Sequence, residues 1–102
     1  MLSQGFGETM MKRERAEVIA LGALGWLAAD DELWPVFLGA TGAAAEDLRA
    51  RAAEPGFQAS VLEFLTNDDA WVTAFCDTAG YAYDEPHTAM LVLAGPARMH
   101  WT

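Results

Sequence analysis

An all-α domain is what this sequence predicts, and three observations predict it. Apolar residues recur at helical steps of three and four. No turn dipeptide stands between alternating apolar runs, and valine and isoleucine are sparse outside the helical periods. The chain also repeats itself: ALGWLAADDELWPVFLGATGAAAED aligns with VLEFLTNDDAWVTAFCDTAGYAYDE at a constant offset of 38 residues. Leu24 meets Leu62, Leu27 meets Leu65, Asp30 and Asp31 meet Asp68 and Asp69, Phe37 meets Phe75, and Gly42 meets Gly80. Each copy reads as a helix, an acidic break, a second helix, a glycine stop and a third helix begun by acids. The expected architecture is five or six short helices in two pseudo-repeated three-helix units around one core. With 102 residues, a second core would leave each half marginal. One helical domain over 12–96 is therefore expected, between a mobile N-terminal arm at 1–11 and a C-terminal tail at 97–102.

Each element has a local reason. The first helix runs from about Lys12 to Ala29. Being apolar nearly all round in its second half, it is expected at the centre of the domain. Gly22 and Gly25 weaken it, so a neighbouring helix is expected to come close there. Asp30-Asp31 and Asn67-Asp68-Asp69 end one helix and supply short acceptors for the free N–H groups of the next, where negative charge also suits the helix dipole. Leu33, Phe37 and Thr41, then Trp71, Phe75 and Ala79, recur at steps of four and give each second helix an apolar stripe. Pro35 fits only if its helix begins near Trp34, which keeps the missing donor in the first turn. Gly42 and Gly80 suit the left-handed residue that follows a helix end. The helix of Ala43 to Ala53 lacks a good cap and has only Leu48 as a large anchor, so it should be the least stable element. Pro55 opens the helix of Phe57, Val61, Leu62, Phe64 and Leu65, and Asp84 is the expected cap of the last one, through Leu93.

Composition excludes several function classes. A formal net charge of -9 repels phosphate backbones and anionic membranes, so neither nucleic acid nor membrane is expected as a partner. The uncharged run Val18 to Ala29 falls short of the roughly 20 residues a spanning helix needs. Following Lys12, Arg13 and Arg15, that run imitates a secretion signal. Glu14 and Glu17 interrupt the basic region, however, and Trp26 or Leu27 is too bulky before the small-residue cleavage site. One cysteine, Cys76, allows no internal disulfide and suits a cytoplasmic location.

Candidate chemistry is thin. Asp30-Asp31 with Glu32, and Asp68-Asp69, carry the oxygens that calcium and magnesium choose, but adjacent side chains diverge and capping already accounts for both pairs. Cys76, next to Phe75, reads as a small buried hydrophobe. His87 and His100 stand at no motif spacing from a nucleophile, and no phosphate-binding, zinc or redox motif occurs. No catalytic, cofactor-binding or metal residue is assigned, and the chain is not expected to be an enzyme. The aromatic residues Trp26, Trp34, Phe37, Phe57, Phe64, Trp71 and Phe75 recur at helical steps and read as core. Trp101 stands next to last in a short tail, where it docks on its own domain or anchors a partner.

Taken together, ALGALGWLAADDELWPVFLGATG, DLRARAAEPGF, VLEFLTNDDAWVTAFCDTAGYAYDEP and the terminal HWT resemble a bacterial family catalogued as a domain of unknown function, number 3572, from about Arg15 to Thr102. The resemblance implies small proteins, mostly alpha-proteobacterial, with no assigned catalytic or binding residues. Two departures stand out. The stretch Met1 to Met11 is long, which places the natural start at Met10 or Met11, and Met90 to Leu93 is more apolar than the charged helix usual there. The resulting expectation is a non-catalytic acidic helical module that binds an unidentified protein partner, with homodimerisation through Met90, Leu91, Val92 and Leu93 as one form of it. A small-molecule or cation binder with a pocket between the repeats, or an enzyme subunit, is the alternative.

Overall fold

Local chemistry in the acidic and glycine-containing segments sets the helix ends. The computed structural model describes residues 11–100, with side chains to residue 95. Among the described residues there are six α-helices and no strand: α1 (Arg13–Ala28), α2 (Leu33–Thr41), α3 (Leu48–Arg51), α4 (Pro55–Thr66), α5 (Asp69–Ala79) and α6 (Glu85–His100), with a 3₁₀ turn at Ala45–Asp47. Oδ1 of Asp30 accepts the N–H of Glu32 at 2.9 Å and that of Leu33 at 3.0 Å, and Oδ1 of Asp68 accepts that of Ala70 at 2.8 Å. The aspartates thus satisfy donors that the first helical turn leaves free. Because α2 begins at Leu33, Pro35 falls in the first turn, where its missing donor costs no internal bond. Gly42 (φ 71°) and Gly80 (φ 84°) close α2 and α5 in the left-handed region, their N–H groups donating to Leu38 and Cys76 carbonyls.

The repeat offset also separates the ends of α1 and α4, at Ala28 and Thr66, and those of α2 and α5, at Thr41 and Ala79. It stops at the third element. The segment expected as a helix from Ala43 to Ala53 is reduced to the 3₁₀ turn and the single-turn α3, whereas its counterpart is the long α6. The physical difference is anchorage. Leu48 is only half-buried, while α6 sends Pro86, Ala89 and Leu93 into the core. Asp84 departs from expectation: its backbone carbonyl accepts the N–H of Thr88, and the carboxylate bonded at this helix start is that of Glu85. At Gly95 (φ 77°) the helical path of α6 breaks before it resumes to His100.

Helices α1, α4 and α6 pack on one another and form the centre; α2 lies on α1, and α5 lies across α1 and α4. Ile19, Ala20, Ala23 and Leu27 of α1 meet Val61, Leu62 and Leu65 of α4 with Ala89 and Leu93 of α6. An aromatic seam joins the outer helices to this centre. Trp34 stacks on Phe37 (5.5 Å between ring centroids), Phe37 meets the rings of Phe57 and Phe64 edge-on, and Phe64 stacks on Trp71 (5.2 Å). Trp26 and Tyr81 contact Phe75 separately. Of the aromatic residues expected as core, Phe37, Phe57 and Phe75 are buried in it, while Trp26, Trp34, Phe64 and Trp71 are half-buried and pack against it. Met11 also packs on it. The remainder of the proposed arm lies outside the described residues.

Helix α1 is central but not encircled. One stripe of it faces solvent, with Val18 58% and Leu21 45% exposed. The expectation for its glycines is met only in part. A Cβ at Gly22 would rest 3.6 Å from the Phe75 ring, an ordinary contact, whereas one at Gly25 would meet nothing within 4 Å. Gly25→Ala is accordingly expected to stabilise the chain by about 1 kcal/mol, since it removes unfolded-state entropy without a clash. Chemical denaturation checks this, and an unchanged or lower midpoint would contradict the open surroundings.

One polar clasp ties the beginnings of α1 and α6. Nε and Nη2 of Arg15 donate to Oε1 of Glu85 at 3.0 and 2.6 Å, and the guanidinium lies 5.3 Å from the Tyr81 ring centre. Oε2 of Glu85 accepts the N–H of Ala82 at 2.9 Å. That backbone bond, followed by the Arg15 contacts, holds the Glu85 carboxyl below its ordinary pKa against the opposing effect of partial burial. A depressed carboxylate stabilises above its unfolded pKa, and the contribution is lost as pH falls through the folded value. Glu85→Gln is therefore expected to melt earlier than the parent at neutral pH and to converge with it in acid. A gap that stays constant across a pH series would remove Glu85 as the cause.

Candidate functional site

The residues singled out by the sequence do not converge. Asp30 and Asp68 spend their carboxylates on helix caps, and among the described residues no three His, Cys, Asp or Glu side chains gather closely enough to hold a metal ion. His87 stands exposed in the first turn of α6. The side chains of His100 and Trp101 lie outside the described residues, so the choice between a docked and a partner-anchoring Trp101 falls there too.

Cys76 is buried, and its thiol lies 3.5 Å from the carbonyl of Ala82, to which it donates. Burial, with the negative charges of Glu85, Asp77 and Asp84 added, pushes the thiol pKa up. The thiolate is the reactive species, so each of these effects disarms it. Native Cys76 is expected to react with a soluble thiol reagent on the order of 100-fold more slowly than in the denatured chain, since reaction must wait for local opening. Equal rates in the two states would show that the thiol is accessible.

Two surface features were not legible in the sequence. The first is a groove of about 350 Å³ between the end of α2, α3 and α4. Ala40 and Thr41 of α2, Arg51 of α3, and Phe57, Ser60, Glu63, Phe64 and Asn67 in and just after α4 line it. The Arg51 guanidinium lies 4.8 Å from the centre of the Phe57 ring and 3.9 Å from Glu54, so part of its charge is already engaged. Ser60 donates to the Gly56 carbonyl and Thr41 to that of Phe37. The lining is mixed rather than apolar, and its volume lies near the lower end of the usual range for small-molecule sites.

The second feature is the set of large apolar side chains left in solvent: Val18 and Leu21 on α1, Val36 on α2, Tyr83 before α6, and Leu91 on α6. The hydroxyl of Tyr83 donates to Asp77 at 2.6 Å. Of the four residues expected to form a dimer face on α6, Leu93 is buried in its own core, and Met90 and Val92 are half-buried against it. Only Leu91 points outward. On α1, by contrast, Val18 and Leu21 share one face one turn apart, opposite the buried Ala16, Ala20, Ala23 and Leu27.

Residues 13–96 match the family described as "Protein of unknown function (DUF3572)". The chain belongs to this family. No curated protein and no solved structure matches it. The DUF3572 region takes in all of α1 to α5 and α6 as far as its break at Gly95, and so contains both the groove and the outward face of α1. No helix among the described residues is long and apolar enough to cross a membrane.

Proposed function

We propose that this DUF3572 protein is a non-catalytic, cytoplasmic helical module that works by binding another protein. One observation carries the reading: Val18 and Leu21 lie side by side in solvent on the central helix, where burial in a complex would remove apolar surface from water. The disarmed thiol of Cys76 and the capping roles of Asp30 and Asp68 support it, because they commit the most reactive groups to the fold. A lone cysteine suits a reducing compartment. A tagged full chain, used as bait in its native cell extract beside a Val18→Glu, Leu21→Glu variant, tests the reading. A discrete partner that is retained by the parent and lost from the folded variant is the expected result. A strict monomer that retains nothing would overturn it.

The groove beside Arg51 favours a second reading, a small-molecule binder, since it lies where the first repeat meets the second. A ligand held there would raise the melting temperature with concentration. A thermal-shift screen read against Phe64→Ala and Asn67→Ala distinguishes the two readings.

A further inference from the structure

We propose that the groove beside Arg51 binds a small zwitterion of the free amino acid class, its carboxylate held by the Arg51 guanidinium and its ammonium group by Oγ of Ser60. The inference rests on the second, small-molecule reading and names the ligand chemistry. Arg51 belongs to the lining, and its side chain is 39% exposed, so a ligand can reach it. The guanidinium is set over the Phe57 ring, 4.8 Å from its centre, a contact that engages its charge and none of its N–H donors. Its acidic neighbour Glu54 stands 3.9 Å away, beyond hydrogen-bond range, and is itself 60% exposed. Such a surface pair is weak. Among the described residues the guanidinium makes no hydrogen bond, so its planar fork of donors remains for a carboxylate.

The hydroxyls of the lining call for the opposite kind of partner. Ser60 donates its proton to the Gly56 carbonyl at 3.1 Å and Thr41 to that of Phe37 at 2.9 Å, so each offers lone pairs to what approaches it. Glu63, in the same lining, adds negative charge. Ser60 follows Phe57 on α4 by three residues, a rise of roughly 4.5 Å. The acceptor and the guanidinium over Phe57 therefore lie about one turn apart, which suits neighbouring opposite charges on one small molecule. Net charge decides against a plain anion. A phosphate would meet one arginine in a chain of net charge -9, whereas a zwitterion brings no net charge to be repelled. The half-buried Phe64 ring, farther along α4, gives the ligand's carbon atoms an apolar contact.

Titration of the full chain with the common free amino acids, followed by thermal shift and calorimetry, tests the proposal. At least one amino acid is expected to bind saturably. Its amide, which lacks the carboxylate, and its N-acetyl derivative, which lacks the ammonium charge, are each expected to bind about tenfold or more weakly, the loss of a charged hydrogen bond. Arg51→Gln is expected to weaken the amino acid by about the same factor and to leave its amide nearly unaffected. Should Arg51→Gln unfold, Ser60→Ala serves as the second variant, weakening the amino acid and sparing its N-acetyl derivative, and the two analogues test the parent directly. No saturable binding by any amino acid at millimolar concentration overturns the proposal, as does an amino acid that both analogues match or that Arg51→Gln leaves equally tight. If no amino acid binds but a phosphate or neutral compound does, and Phe64→Ala abolishes it, the small-molecule reading stands and the zwitterion is excluded; if no compound of any kind binds, both fall.

Discussion

Phe37→Ala is expected to destabilise the chain by about 3–5 kcal/mol, the usual cost of emptying a buried aromatic site. Phe37 is 0% exposed and is the sole buried residue of α2. Its ring stacks on Trp34 and meets Phe57 and Phe64 at centroid distances of 6.1 and 5.4 Å, so the change removes an aromatic hub as well as its buried area. Measured against a total stability of about 5–15 kcal/mol, the loss consumes a large share. At this chain length it corresponds to a fall in melting temperature of roughly 15 °C or more. Thermal and urea denaturation followed by circular dichroism reads it. A loss below about 1 kcal/mol would mean that α2 is not anchored through this ring.

Leu62→Ala is expected to cost about 2–5 kcal/mol, and Leu24→Ala clearly less. The two leucines occupy equivalent places in the repeated sequence, yet their surroundings differ. Leu62 is fully buried on α4, which packs against both α1 and α6, whereas Leu24 is half-buried at the side of α1. The cost of truncation follows the cavity it leaves, and a half-exposed position lets water fill the space. Equal losses at both positions, measured by urea denaturation, would mean that sequence equivalence carries over into energetic equivalence and that the asymmetric third element matters little.

The helix ends were the most legible part of the chain. Aspartate caps, left-handed glycines and a proline at a first helical turn are chemistry between residues a few positions apart, so Asp30, Asp68, Gly42, Gly80 and Pro55 act where the sequence places them. Burial of Cys76 was equally legible from its place beside Phe75. Coverage of a face was not. Periodicity says that α1 is apolar nearly all round, and it cannot say that four neighbours would leave Val18, Leu21 and Gly25 in solvent. Nor did it mark Gln58, which lies buried on α4 with Nε2 donating to the Ala52 carbonyl at 2.7 Å and Oε1 unpartnered. That bond fastens the segment after α3 to α4, a contact between elements that no local pattern encodes.

The sequence by itself determined the all-helical class and the helix ends marked by Asp30, Asp68, Gly42, Gly80 and Pro55, because propensity and capping act between residues a few positions apart. Only the tertiary structure decided which long helices form the centre, that the first third element shrinks to one turn while the second becomes a core helix, and which apolar stripe stays uncovered. Those outcomes depend on how separate segments compete for the same contacts, and that competition is settled when the whole chain packs.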